Sequence, residues 1–160
     1  MAKKFKSELK NPIALNKEDN IEIVIGIDAG TTTGLAIYST KVKRIINIDS
    51  FKIHRALRIV YELSKEYSGK IFVVVEDARK RKWYGKQSGT HALQGVGSIK
   101  RDCTIWNDFL EDYAIPYKMS HPIKGGTKIS AEKFIQITGY KGKTNEHSRD
   151  AGMLVWSFFN

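Results

Sequence analysis

The chain has 160 residues, enough for one domain around a single core and too few for a two-domain enzyme. Its 27 Lys and Arg against 17 Asp and Glu give a formal net charge of +10 and a pI near 9.6, a field that favours a polyanionic partner such as nucleic acid or an acidic membrane surface. No apolar stretch is long enough to span a bilayer, no signal peptide is visible, and the single Cys103 can form no intramolecular disulfide, so the expectation is a soluble, cytoplasmic protein without a membrane partner.

Residues 1–20 mix lysines with a few acids and little apolar periodicity, which predicts a basic, flexible arm ahead of one domain over residues 21–160. "IEIVIGID" is a β-branched run that predicts a buried strand. "GLAIYST" and "RIINIDSFKI" follow at turn-length spacing, which suggests an antiparallel meander. Ala56, Ile59, Val60, Leu63 and Tyr67 then recur at helical spacing up to Gly69. "KIFVVVEDA" predicts another buried strand, and a strand reached through a helix is usually parallel to its neighbour. From Thr90 to Tyr113, the residues Ala92, Val96, Ile99, Cys103, Trp106, Leu110 and Tyr113 alternate steps of four and three. That seam fits either a core helix lying on its own sheet or a partner interface, and Cys103 reads as a small core residue. "AIPYKMSHPI" predicts a short fifth strand closed by Pro122, followed by helices around Ala131 to Thr138 and from Glu146 to Phe159. The expected fold is α/β, a mixed five-stranded sheet flanked by helices.

Asp28 ends the first strand, where a buried carboxylate is costly unless something positive meets it. Glu76 and Asp77 end another strand, and because side chains alternate, only one of them can share a face with Asp28. In the last helix, capped by Thr144 or Asn145, His147 and Asp150 precede Ala151, Leu154 and Phe158 on one otherwise apolar face. Three acids and an imidazole on buried elements can converge into a hard-cation site. Such a set suits Mg²⁺ or Mn²⁺, and two ions about 4 Å apart can activate water and stabilise a leaving oxygen in phosphodiester hydrolysis. Singly, each acid has a plainer reading: Asp28 could serve the Thr31 to Thr33 turn, and Asp150 could favour a helix N-terminus.

The series "GIDAGTTTGLAI", "FVVVEDA" and "HSRDAGMLV" resembles the RuvC-type Holliday-junction resolvases of the RNase H-like superfamily, particularly small phage and prophage members. The resemblance implies an RNase H-like nuclease fold and a metal site of Asp28, Glu76, His147 and Asp150, with His147 at a position where some members have His in place of Asp. It implies cleavage of Holliday junctions and other branched DNA to 5′-phosphate and 3′-hydroxyl ends. A Lys-rich stretch before the last helix matches the family loosely and makes Lys133 and Lys143 candidates for phosphate or transition-state contacts, against the alternative of solvated surface lysines. "DAGTT" also resembles the phosphate loop of sugar kinases and actin-like ATPases, which need two such domains. A non-catalytic DNA binder is the third reading, opposed by the intact acid set, since acids repel phosphate unless metal intervenes.

Past Glu76, the cations Arg79, Lys80, Arg81, Lys82 and Lys86 interleave with Trp83 and Tyr84, a combination that can neutralise phosphates and stack on or wedge between bases. Two cuts on a two-fold symmetric junction suit a homodimer, with the seam and Trp106 as its expected interface.

Overall fold

The computed structural model describes residues 20–80, 90–122 and 128–159. Strands β1 (Ile23–Asp28), β2 (Thr32–Ser39), β3 (Arg44–Lys52), β4 (Ile71–Glu76) and β5 (Tyr117–Ser120) form one sheet in the order β3-β2-β1-β4-β5. The first three strands make the expected antiparallel meander, and β4 and β5 add in parallel on the other side of β1. Helices α1 (Ile53–Glu66), α2 (Thr90–Asp112), α3 (Ala131–Thr138) and α4 (Glu146–Phe159) complete the described elements. The mixed five-stranded α/β architecture is therefore as the sequence predicts. The candidate arm lies almost wholly outside the described residues.

Strand alternation divides the apolar residues into two cores. Ile23, Ile25 and Ile27 of β1 and Ile71, Val73 and Val75 of β4 face α1 and α2, meeting Ala56, Val60, Trp106 and Leu110. Val24, Phe72 and Val74 point the other way, to Phe134 of α3 and Ala151, Leu154 and Val155 of α4. Helices thus cover both faces of the central strands, which is why β1 and β4 read as continuous apolar runs rather than as alternating ones. Each such side chain contributes about 1.5–3 kcal/mol on burial. Helix α3 is bounded as its sequence dictates: the Ser130 hydroxyl accepts from the Lys133 amide at 3.2 Å, and Gly139 leaves the helix at φ 70°.

The four-three seam resolves into two parts. Cys103, Trp106 and Leu110 are fully buried against the chain's own sheet, while Ile99 and Tyr113 are exposed, as is Ile105 beside the seam. Trp106, the expected anchor of a dimer interface, is instead a core residue. It stacks edge-on against Phe109, which in turn meets Tyr113. Val96 is half-buried, and the side chain of Ala92 is outside the described set. Among the described residues the indole Nε1 of Trp106 has no acceptor, so the ring is held by packing alone. Trp106→Ala is expected to cost about 3–5 kcal/mol. Trp106→Phe should cost far less, because it also removes the unmade hydrogen bond. Urea unfolding of both variants checks this; similar small losses in both would mean that the indole fills no essential volume.

Candidate functional site

The sheet register builds the site. Asp28 pairs with Gly34, Gly34 with Ser50, and Glu76 with Ser120, while β1 and β4 run in step with Ile27 beside Val75. One row therefore crosses all five strands: Ser50, Gly34, Asp28, Glu76, Ser120. Asp28 follows Val24 and Gly26 in the alternation and Glu76 follows Phe72 and Val74, so both acids belong to the face that α4 covers. Asp77 takes the opposite face, as the alternation predicts.

Helix α4 is brought down on this row by its start and by two glycines. Asn145 caps it reciprocally: its Oδ1 accepts from the Ser148 amide at 3.0 Å, and the Ser148 hydroxyl accepts from the Asn145 amide at 2.9 Å. The Asn145 side-chain amide also donates to the Ser50 hydroxyl at 2.6 Å, tying the helix start to the sheet row. On its other flank, Arg149 donates to the Ile129 carbonyl at 2.9 Å and to Thr144 Oγ1 at 3.2 Å, and Lys128 pairs with Glu146. Beneath the helix, a Cβ on Gly34 would collide with the carbonyl of His147, and one on Gly26 with that of Ala151. Helix backbone thus rests directly on strand backbone.

His147 lands on Asp28 as a result, with Nδ1 at 3.2 Å from Oδ2 and the two side chains 46% and 21% exposed. The imidazole is accordingly both a partner of the acid and open to an incoming ligand. Burial pushes the Asp28 carboxyl up from its ordinary 3.8 to about 6; the neighbouring charges of Asp150 and Glu76 add to the rise, and the His147 hydrogen bond opposes it. The four expected ligands are therefore electrostatic neighbours. Among the described residues, no three His, Cys, Asp or Glu side chains stand close enough to form a ready-made metal cluster. The donors nonetheless fit a hard divalent cation in kind, being carboxylate oxygens and one imidazole, crowded enough to raise the cost of ionising Asp28. The Thr31 to Thr33 turn closes without Asp28, through the Thr33 hydroxyl donating to the Gly30 carbonyl at 2.7 Å.

The remaining sequence candidates scatter. Lys133 lies exposed in the first turn of α3 and Lys143 exposed before α4; among the described residues no hydrogen bond or ion pair links either to the acids. Arg81, Lys82, Trp83, Tyr84 and Lys86 lie outside the described residues. Arg79 and Lys80, expected to meet phosphate, carry internal partners. The Arg79 guanidinium grips the buried Asp77 through Nε to Oδ1 at 2.8 Å and Nη2 to Oδ2 at 2.9 Å, and Lys80 donates to the Met119 carbonyl. Burial works against the Asp77 charge, but the Arg79 hydrogen bonds prevail and hold its carboxyl below the usual range. The sequence signal for this clamp was the Asp-Ala-Arg spacing, which composition-based reading assigns to a basic loop. No Asp28-like competition arises, because Asp77 meets its cation within its own chain.

The chain matches no protein-family model and no curated protein. Among solved structures it is similar to the fowlpox virus resolvase, in a crystal structure with its substrate Holliday junction DNA, at 18% identity and a TM-score of 0.48, covering 85% of this chain and 97% of that one.

Two outcomes follow from the geometry. Gly34→Ala should overpack the α4 contact and cost about 1–3 kcal/mol, whereas Thr32→Ala at an exposed position of the same strand should change stability little; equal effects would show that α4 does not rest on Gly34. The second concerns pH. A carboxyl whose folded value is raised favours the folded state while protonated, and that advantage is lost as pH rises from about 4 through 6. In chelator, Asp28→Asn should therefore stabilise the protein above pH 6, by up to about 3 kcal/mol at about 1.4 kcal/mol per pH unit, with the gain fading below pH 4. Urea midpoints from pH 4 to 8 measure it; a pH-independent difference would contradict the assigned cause.

Proposed function

We propose that this chain is a metal-dependent endonuclease that hydrolyses phosphodiester bonds of Holliday junctions and other branched DNA, a crossover junction endodeoxyribonuclease of phage or prophage type acting as a homodimer. The observation that carries the reading is Asp28 at the end of a strand in step with the one that ends in Glu76, with His147 of α4 at 3.2 Å and the charges of Asp150 and Glu76 both felt at its carboxyl. Asp28, Glu76, His147 and Asp150 would hold one or two Mg²⁺ or Mn²⁺ ions, which when bound supply activated water and neutralise charge on the leaving oxygen. The strand pair fixes two carboxylates at one strand spacing. With its proton on Nδ1, His147 donates to Asp28 Oδ2, orients that carboxylate and keeps the Nε2 lone pair for a ligand. Asp150, one turn further along α4, completes the donor set.

The branched substrate follows from the motif resemblance, the net charge of +10 and the two-fold symmetry of a four-way junction, which a homodimer matches. With Trp106 inside the subunit, Ile99 and Ile105 of α2 and Tyr113 just past its end are the large apolar side chains that the described part of this segment leaves exposed for a partner. Lys133, Lys143 and the cations and aromatics from Arg81 to Lys86 are assigned to phosphate and base contacts in this reading.

A nuclease assay on linear duplex, three-way and four-way DNA, with Mg²⁺, Mn²⁺ or chelator, tests the proposal. Cation-dependent cutting restricted to branched forms is expected; cation-dependent ATP hydrolysis without DNA cleavage would replace it with the actin-like reading. Asp28→Asn, Glu76→Gln and Asp150→Asn should each lower cleavage by orders of magnitude while junction binding survives. Added Mn²⁺ should raise the melting temperature of the wild type and not of these variants. Asp77→Asn should behave oppositely, melting earlier because the Arg79 clamp is broken but cleaving normally per folded molecule.

A further inference from the structure

Three adjacent strands hold the start of α4, each through one residue of a single sheet row. On β1, Asp28 Oδ2 meets His147 Nδ1 at 3.2 Å. On β2, Gly34 admits the His147 carbonyl, which stands where a Cβ would be. On β3, the Ser50 hydroxyl accepts from the Asn145 side-chain amide at 2.6 Å. Register sets Ser50 opposite Gly34 and Gly34 opposite Asp28, so the three lie in line across the sheet, spanning about 10 Å at about 4.8 Å per strand. His147 is thus held at its own side chain, at its own backbone, and two residues earlier through Asn145.

These contacts constrain different motions. Backbone contact of His147 with Gly34 and of Ala151 with Gly26 sets the height of α4 above the sheet, but contacts along one side of a helix leave it free to roll about its axis. A roll of about 10° carries a side-chain tip, roughly 6 Å from the axis, by about 1 Å. That is enough to take His147 Nδ1 out of hydrogen-bond range of Asp28. On the β3 side the roll is resisted through Asn145, whose amide is used at both ends: Oδ1 accepts from the Ser148 amide at 3.0 Å while Nδ2 donates to Ser50, so the helix cap and the tie to the sheet share one rigid plane. Ser50 is itself anchored, paired with Gly34 and donating its amide to Asp49 Oδ1 at 2.8 Å. On the other flank Arg149 reaches the Ile129 carbonyl and Thr144 Oγ1, which belong to connecting chain and not to the sheet.

We propose that Ser50 is a positioning residue of the metal site: its hydroxyl, acting through Asn145, fixes the roll of α4 and so keeps His147 on Asp28 and open to a cation. The inference rests on the nuclease reading above and adds to that site an uncharged residue of the edge strand, two strands from Asp28, that supplies no ligand itself. The bond contributes little to stability, because it lies at the surface, where water replaces either partner. Its effect is geometric. Outer partners that orient a ligand set metal affinity by about 10–100-fold.

The test measures Mn²⁺ binding to the full chain without DNA, from the loss of the free-ion electron paramagnetic resonance signal. Ser50→Ala is the informative variant, since Asn145 also caps α4 and its removal would alter the helix itself. Ser50→Ala should weaken Mn²⁺ binding about 10–100-fold, while Ser50→Thr, which keeps the hydroxyl, and Asn47→Ala, at an exposed position of the same strand, should retain wild-type affinity. In chelator all three should melt close to the wild type and bind a four-way junction as tightly, which separates positioning from folding and from direct DNA contact. In a His147→Ala background Ser50→Ala should add little further loss, because both changes act on the same ligand. Undiminished Mn²⁺ affinity in Ser50→Ala, a loss that Ser50→Thr does not rescue, or full additivity with His147→Ala overturns the positioning role and leaves the nuclease reading intact. Weaker junction binding by Ser50→Ala in chelator would make Ser50 a DNA contact instead and equally overturns it. A wild type that neither takes up Mn²⁺ nor cuts junctions removes the nuclease reading and this role together.

Discussion

Backbone-to-backbone contact between α4 and the central strands sets the position of every candidate ligand. Gly26 and Gly34 lie on neighbouring strands on one face, and the carbonyls of Ala151 and His147 occupy the space that side chains there would need. A helix resting on ordinary side chains stands further from its sheet, and at that distance His147 would no longer reach Asp28. The glycines give up apolar contact, yet the face is not underpacked. Phe134 and Ile48 press against Gly152 from the side, and Leu154 and Val155 fill the core further along. Close packing transmits such placements without slack, so a small displacement at Gly34 becomes a displacement of the site.

The same strand ends show two ways of keeping a carboxylate where solvent is scarce. Asp77 is nearly as buried as the core, and Arg79, two residues on, clamps both its oxygens, so it stays charged without external help. Among the described residues Asp28 has the His147 imidazole as its hydrogen-bond partner and two further acids as neighbours, and burial drives its carboxyl towards the neutral form. A protein selecting for stability alone would repeat the Asp77 solution. The unequal treatment of the two acids separates a structural pair, Asp77 with Arg79, from a crowded set that would gain by receiving a cation in the proposed reading.

Much of this arrangement was legible in the sequence because it depends on local periodicity. Period-two alternation separates Glu76 from Asp77, the family resemblance picks Glu76 as the companion of Asp28, and the 3.6-residue repeat puts His147 and Asp150 on the apolar face of α4. What stayed hidden depends on distant pairing. Nothing near Ser50 announces that it meets Asn145, 95 residues later, and the register that aligns Ser50, Gly34 and Asp28 is decided only when three strands pair. Gly34 in "TTGLAI" reads locally as no more than the start of a strand, whereas its place in the fold is to admit the α4 backbone. Trp106 fits a partner interface and a core equally well by spacing, and the choice shows only once α2 packs on the sheet with the indole fully buried. Arg79 looks like one cation in a basic run until its short-range carboxylate partner is seen.

Charge is thus sorted by position as well as by total. The excess of positive charge cannot assist a phosphate at Asp28 uniformly, because screening confines each exposed cation to about a Debye length, roughly 8–10 Å at physiological salt. Cations that already hold Asp77, Glu146 or the Met119 carbonyl contribute little to an external field. The cations that count are those left uncompensated on the acid-bearing side of the sheet. In the proposed reading they must also stand far enough from Asp28 that they do not simply neutralise it, since a lysine within contact of the carboxylates would compete with a divalent ion there. Lys52 meets both conditions: it shares the face of Asp28 but lies two strands and two residues away, while the nearer positions Gly34 and Ser50 are uncharged. In the proposed nuclease reading, uncharged neighbours beside the acids would leave room for a cation at the centre of the row.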